Sequence, residues 1–140
     1  MKDWHELIIP DKDAREKFFA YLLRKPCTRK QAEEYLSRMK YPEAFMNEAA
    51  DAGLIDDEAY ARLFVDGHLH WGNLKIEHEL SARRVSREEI ESALDDAESE
   101  TKRAEELAAS WRKSGLDDRK IQTRLLSRGF TNRAVRSITR

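Results

Sequence analysis

Two pairs of adjacent carboxylates, Asp56-Asp57 and Asp117-Asp118, and three histidines, His68, His70 and His78, are the residues whose types lend themselves to chemistry. Acid–base hydrolysis needs two carboxyls converging on one bond, whereas neighbours in sequence point different ways. Both pairs also stand where a helix is expected to begin, so capping accounts for them. A zinc site needs several His, Cys or carboxylate ligands, commonly with a helical pair at i, i+4. No two of these histidines have that spacing, and Cys27 is the one cysteine. His68 is read instead as completing an apolar helix face. The sequence has no glycine-rich phosphate loop, nucleophile elbow or kinase motif. This points to a binding protein rather than an enzyme, with no catalytic residue, no metal and no cofactor.

The elements that would carry a binding surface are helices. The chain has 140 residues, 40% hydrophobic and 38% charged, and so much charge favours a surface-rich shape over a thick core. Five glycines and three prolines leave few sites for the hairpin turns of an all-β fold, while Ala, Glu, Arg and Leu favour helix. Cys27 cannot form an internal disulfide, and the opening Met1-Lys2-Asp3-Trp4-His5 lacks the apolar run of a secretory signal. No stretch approaches the roughly 20 apolar residues that cross a bilayer. A cytoplasmic protein without membrane contact is expected.

Ile76, Leu80, Val85, Ile90 and Ala93 match Ile121, Leu125, Phe130, Val135 and Ile138 at an offset of 45, and Ala32, Leu36, Tyr41, Met46 and Ala49 at an offset of 44. Within each set a pair four apart, as on one helix face, is followed by a turn and a second helical pair. Pro42, Ser86 and Thr131, equivalent by this frame, all start helices, and Thr28 with Gln31 and Ser86 with Glu89 read as capping boxes. A further amphipathic run precedes each set: Phe18 to Leu23, Tyr60 to His68, and Ala104 to Trp111. The expected fold is all-α, an elongated tandem array of three three-helix repeats with about nine short helices and no sheet. The repeats would cover residues 14–55, 56–98 and 99–140, behind an N-terminal arm over 1–13 whose Leu7, Ile8 and Ile9 pack back onto the first repeat. That arm is also expected to cover Tyr35 and Met39, and Trp71 is read as core. In the joint from Gly53 to Ala61, Gly53 is expected to have positive φ after a helix end, with Leu54 folding back and Asp56 or Asp57 capping the next helix.

Charge singles out the third repeat. Residues 1–50 carry 10 basic and 9 acidic side chains, 51–100 carry 5 and 14, and 101–140 carry 11 and 4, net charges of +1, −9 and +7. In the repeat frame Glu79 becomes Arg124, Glu88 becomes Arg133 and Glu91 becomes Arg136, so core packing does not dictate these arginines. Lys120, Arg124 and Arg128 recur every four residues, and Arg133, Arg136 and Arg140 at three and four, as two basic stripes. With Arg112 and Lys113 before them, and Arg83 and Arg84 in the middle repeat, these are the candidate partner-binding residues. The competing reading is a merely solvated face, since exposed charge pairs contribute only about 0 to 1 kcal/mol.

The joint Gly53-Leu54-Ile55-Asp56-Asp57 with Tyr60-Ala61, then Ile76-Glu77-His78-Glu79-Leu80, Val85 to Leu94, Lys120-Ile121, Leu125, Arg128-Gly129-Phe130 and Val135, resembles the RecX family, bacterial regulators of the RecA recombinase. The resemblance covers about residues 14–140. It implies a monomeric, non-catalytic protein that lies in the groove of the RecA filament on single-stranded DNA and restrains its ATPase and strand exchange. Two departures stand out. Asp66 to Gly72 is poor in arginine, and Arg83-Arg84 stands where the family commonly has Lys-Gly or Arg-Gly. The alternative is a protein binding single- or double-stranded DNA directly, because three-helix units resemble helix-turn-helix modules and the last repeat is basic.

Overall fold

Apolar residues at helical spacing, separated by residues that cap or stop helices, are arranged by this chain into successive triplets. The structure, a computed structural model, describes the backbone of residues 4–138 and the side chains of residues 12–138. Among the described residues there are nine helices and no strand: α1 (Trp4–Arg24), α2 (Arg29–Met39), α3 (Ala44–Asp51), α4 (Asp57–Gly67), α5 (Asn73–Ala82), α6 (Arg87–Asp96), α7 (Glu100–Lys113), α8 (Asp118–Ser127) and α9 (Asn132–Ile138). The fold class is all-α. The chain divides into two compact units, Met1–Tyr60 and Ala61–Arg140.

The repeat frame describes the interior. Its apolar positions, on α2, α3, α5, α6, α8 and α9 and in the turns within each pair, are buried, apart from Tyr41 and Ile138, which are half-buried. Ile76, Leu80, Ile121 and Leu125 are wholly inaccessible, and each such side chain contributes about 1.5–3 kcal/mol by leaving water. The boundary expected at residue 13 falls inside α1, which runs unbroken to Arg24. The packing expected of Leu7, Ile8 and Ile9 lies outside the described side chains.

In the first unit Phe18 and Leu22 of α1 bury against Ala32, Leu36, Phe45 and Met46. Tyr35 is covered by α1 itself, its ring 4.0 Å from that of Tyr21 and nearly parallel, while Met39 stays 43% exposed. Thr28 and Gln31 form the full capping box of α2. Both joint aspartates work as caps: Asp56 accepts from the Ala59 amide at 3.1 Å and Asp57 from the Arg29 amide at 2.8 Å, at the start of α2. Cys27 is buried, and desolvation raises its thiol pKa, so it is a structural residue.

One turn recurs in all three triplets. Lys40, Arg84 and Gly129 have φ of 58°, 64° and 86°, and the amide after each donates five residues back, Tyr41 to Leu36, Val85 to Leu80 and Phe130 to Leu125. Gly53, with φ 75°, ends α3 in the same way, and the Leu54 amide folds back to Ala49 as expected. A Cβ at Gly53 would meet nothing within 4 Å, so only its backbone conformation restricts the residue. Gly53→Val should therefore destabilise by about 1–2 kcal/mol, and Arg84→Gly should stabilise by about 1 kcal/mol. Urea unfolding of the two variants checks both, and opposite signs are the expected result.

Candidate partner-binding surface

Asp117 caps α8 by accepting from the Lys120 amide at 2.9 Å. This sets Ile121 and Leu125 inward, against Ala104 and Ala108 of α7 and Phe130, Ala134 and Val135. Lys120, Arg124 and Arg128 then follow one another along another face at one-turn intervals, with Lys120 and Arg124 exposed and Arg128 half-buried. Arg119, Lys120, Thr123 and Arg124 line an open depression of about 390 Å3 on this helix. Trp111 of α7 lies half-buried beneath the arginines, with the guanidinium carbons of Arg124 and Arg128 at 5.5 and 5.1 Å from the centre of its ring. Arg128 also donates to the His70 carbonyl at 3.4 Å. Among the described residues no carboxylate pairs with Lys120, Arg124 or Arg128.

The other candidates separate into two groups. Arg112 bridges Asp118 at 3.2 Å and donates to the Ile138 carbonyl at 3.3 Å, so it ties the ends of α8 and α9 to α7. Arg83 pairs with Glu79 at 2.9 Å and lies over the Phe64 ring at 4.9 Å. Internal packing accounts for both. Lys113, Arg133, Arg136 and Arg84 are exposed, and Arg136 donates to the Asn132 carbonyl one turn back. Arg140 lies outside the described residues. The paired carboxylates are all engaged as caps or in the Arg112 ion pair, and among the described residues no cluster of three His, Cys, Asp or Glu could hold a metal ion.

The histidine segment is an aromatic stack. His68 packs 4.1 Å from Phe64 and 4.3 Å from Trp71, and its Nδ1 donates to the Phe64 carbonyl at 2.6 Å. The Lys75 ammonium sits 4.2 Å from the centre of the Trp71 ring. Burial lowers the pKa of His70, and the nearby Arg128, His68 and Lys75 add to that shift.

A buried polar cluster holds the second and third triplets together, and the sequence reading missed it. Arg103 is 3% exposed and donates to the carbonyls of Glu98, Leu69 and Trp71 and to the Asn73 side chain. Glu100 accepts from the Asn73 amide at 2.7 Å and from both the amide and the hydroxyl of Thr131. Thr131 in turn caps α9 through the Ala134 amide, and Ser86 caps α6 through the Glu89 amide. Burial lowers the pKa of Arg103, while the charges of Glu100 and Glu98 oppose the shift. Backbone bonds from Gly72 to the Arg128 carbonyl, 2.8 Å, and from Leu74 to the Gly129 carbonyl, 3.0 Å, complete the junction. It fixes the start of α5 against the turn that follows the basic helix.

Taken together, these features define a protein of three-helix units with a basic helix face and a polar junction that holds it in place. Residues 56–94 match the family model described as RecX, second three-helix domain. The chain is similar to two curated proteins named Regulatory protein RecX, from two strains of Lactobacillus delbrueckii subsp. bulgaricus. It is 32% identical to one and 31% to the other over 134 residues, covering 85% of this chain and 49% of each relative. The chain thus spans about half the length of the curated relatives it matches. Among solved structures it is similar to the crystal structure of RecX from Lactobacillus salivarius, with a TM-score of 0.77, 24% identity and coverage of 91% of this chain and 93% of that one. A second, the crystal structure of regulatory protein RecX, has a TM-score of 0.70 at 22% identity and covers 99% and 79%. At these identities the two structures establish the fold alone. The family-model match and the curated relatives support placing the chain in the RecX family. Among the described residues no helix is long and apolar enough to cross a membrane.

Proposed function

We propose that this chain is a regulatory binding protein that docks as a monomer on the RecA filament on single-stranded DNA, in the cytoplasm, and restrains RecA ATPase and strand exchange without chemistry of its own. In this reading the chain is an array of repeats over 14–55, 56–98 and 99–140, and the third grips the partner. The observation that carries it is the line of Lys120, Arg124 and Arg128 on α8, which has no carboxylate partner among the described residues, in a chain that matches this family's model. Arg133 and Arg136 on α9 extend the basic character, while Arg83 and Arg112 support the fold. Co-sedimentation with RecA filaments tests the proposal, with saturable binding expected.

Direct DNA binding is the second reading, and the same basic helix favours it. Without RecA, that reading gives a log–log salt dependence with a slope near −0.9 for each phosphate contact on duplex DNA. Three contacts from α8 would give a slope of about −2.7. Filament binding combined with no measurable duplex binding at physiological salt decides for the first reading.

A further inference from the structure

We infer that Trp111 is a positioning residue that holds Arg124 and Arg128 as a pre-oriented pair for the phosphodiester backbone of a single nucleic-acid strand. The inference rests on the reading that the α8 face is the gripping surface, and it names what that face takes. Two guanidinium groups lie over one indole ring, at 5.5 and 5.1 Å. Two like charges side by side repel, and on an exposed helix their usual relief is a nearby carboxylate; here, among the described residues, the ring is what holds them. A stacked guanidinium loses little further freedom on binding, and its planar fork of N–H donors matches an oxyanion at two points. Arg128 uses one donor on the His70 carbonyl and is anchored by it.

The arrangement favours phosphate over a protein carboxylate. Lys120, Arg124 and Arg128 repeat at four-residue intervals, a cation every ~6 Å along the helix. A regular line of charges suits a polyanion with its own regular repeat, whereas a single carboxylate needs only one fork. Among the described residues, the lining of the depression beside it, Arg119, Lys120, Thr123 and Arg124, includes no acidic side chain. Base stacking is not what the ring offers, because the arginines already lie over it. Recognition would therefore be sequence-independent.

The test uses the full chain and four variants: Arg124→Lys with Arg128→Lys, Trp111→Leu, Trp111→Phe, and Arg124→Glu with Arg128→Glu. Each is measured by thermal unfolding, by binding to a fluorescent oligothymidylate, and by binding to RecA filaments. The double lysine variant keeps every charge but loses the planar fork, and Trp111→Leu keeps the core but loses the platform. Both should remain folded, Trp111→Leu with a modest loss of thermal stability, and bind oligothymidylate at least fivefold more weakly, while Trp111→Phe, which keeps an aromatic face, should stay within twofold. Lysine variants that bind like wild type overturn the clamp and leave only charge. A wild type that binds filaments but not oligothymidylate overturns phosphate as the ligand, and points to a protein carboxylate if the lysine variants are then weaker on filaments. Should the double glutamate variant bind filaments as tightly as wild type, the gripping-face reading itself fails, and this inference with it.

Discussion

Gly72→Ala is expected to cost the second unit about 3 kcal/mol or more, although Gly72 has an ordinary φ of −78° that alanine adopts freely. The cost comes from space. A Cβ at this position would stand inside the van der Waals radii of the Phe130 amide nitrogen and the Gly129 carbonyl carbon, both of them backbone atoms with no rotamer to escape into. Separating the two segments would break the bonds from Gly72 to Arg128 and from Leu74 to Gly129, and would draw Asn73 away from Glu100. Gly115→Ala is the control. Its φ of 94° restricts side chains, but a Cβ there meets nothing within 4 Å, so the loss should be about 1–2 kcal/mol. Arg103→Met should match or exceed Gly72→Ala, at about 3–5 kcal/mol, because it leaves Glu100 without its counter-charge and three carbonyls without their donor. Urea unfolding measures all three, and hydrogen exchange at the Leu74 amide reports the junction directly. A Gly72→Ala protein as stable as the Gly115→Ala protein would show that the two segments do not pack this closely.

The sequence carried the features that depend on short spacing. The apolar frame, the Thr28 and Ser86 caps and the left-handed Gly53 all involve residues within one or two turns of each other, where period and capping chemistry are readable. Arg84 shows where such reasoning falls short: the departure from glycine was visible, yet the chain keeps the left-handed turn at that position, with φ 64°. The bond from Val85 to Leu80 and the burial of Val85 outweigh a local cost of about 1–2 kcal/mol. The junction was not legible, because Arg103 and Glu100 reach partners about thirty residues away, and nothing periodic marks a long-range polar contact. Burial of a lone arginine runs against its type, so it is recognised only once its acceptors are located. Trp111 was read as the last residue of an apolar face, which it partly is. Its second role, under Arg124 and Arg128, depends on how α7 and α8 pack. For Tyr35 the sequence identified the need for cover; Tyr21, three residues after the buried Phe18, stacks on it, and the cover expected from the N-terminal arm lies outside the described side chains.

The triple variant Arg124→Glu, Arg133→Glu, Arg136→Glu should fold normally and inhibit DNA-dependent RecA ATPase at least tenfold less well than the wild type. Folding is expected to survive because all three side chains are exposed and the middle triplet carries glutamates at the equivalent places, Glu79, Glu88 and Glu91. Ile121, Leu125 and Val135, which hold the same helices inward, are untouched. Arg124 does give up its place over Trp111, and for an exposed cation–π contact that costs about 0.5–1 kcal/mol. Tenfold in affinity is ~1.4 kcal/mol in all, or about half a kcal/mol per site, which is modest for a charge reversal against an acidic partner. Added salt should weaken the wild type more than the variant, since exposed attraction is screened over ~8–10 Å. The control is Glu88→Arg alone, because Glu79 and Glu91 form ion pairs with Arg83 and Arg87 and their loss would disturb the middle triplet. Adding positive charge there should leave inhibition intact if the third triplet is what grips. ATPase assays across a salt series, alongside thermal unfolding, separate the outcomes. A folded triple variant that inhibits like wild type would reduce the basic stripes to solvated surface and move the search for the grip to the joint from Gly53 to Ala61 or to the first triplet.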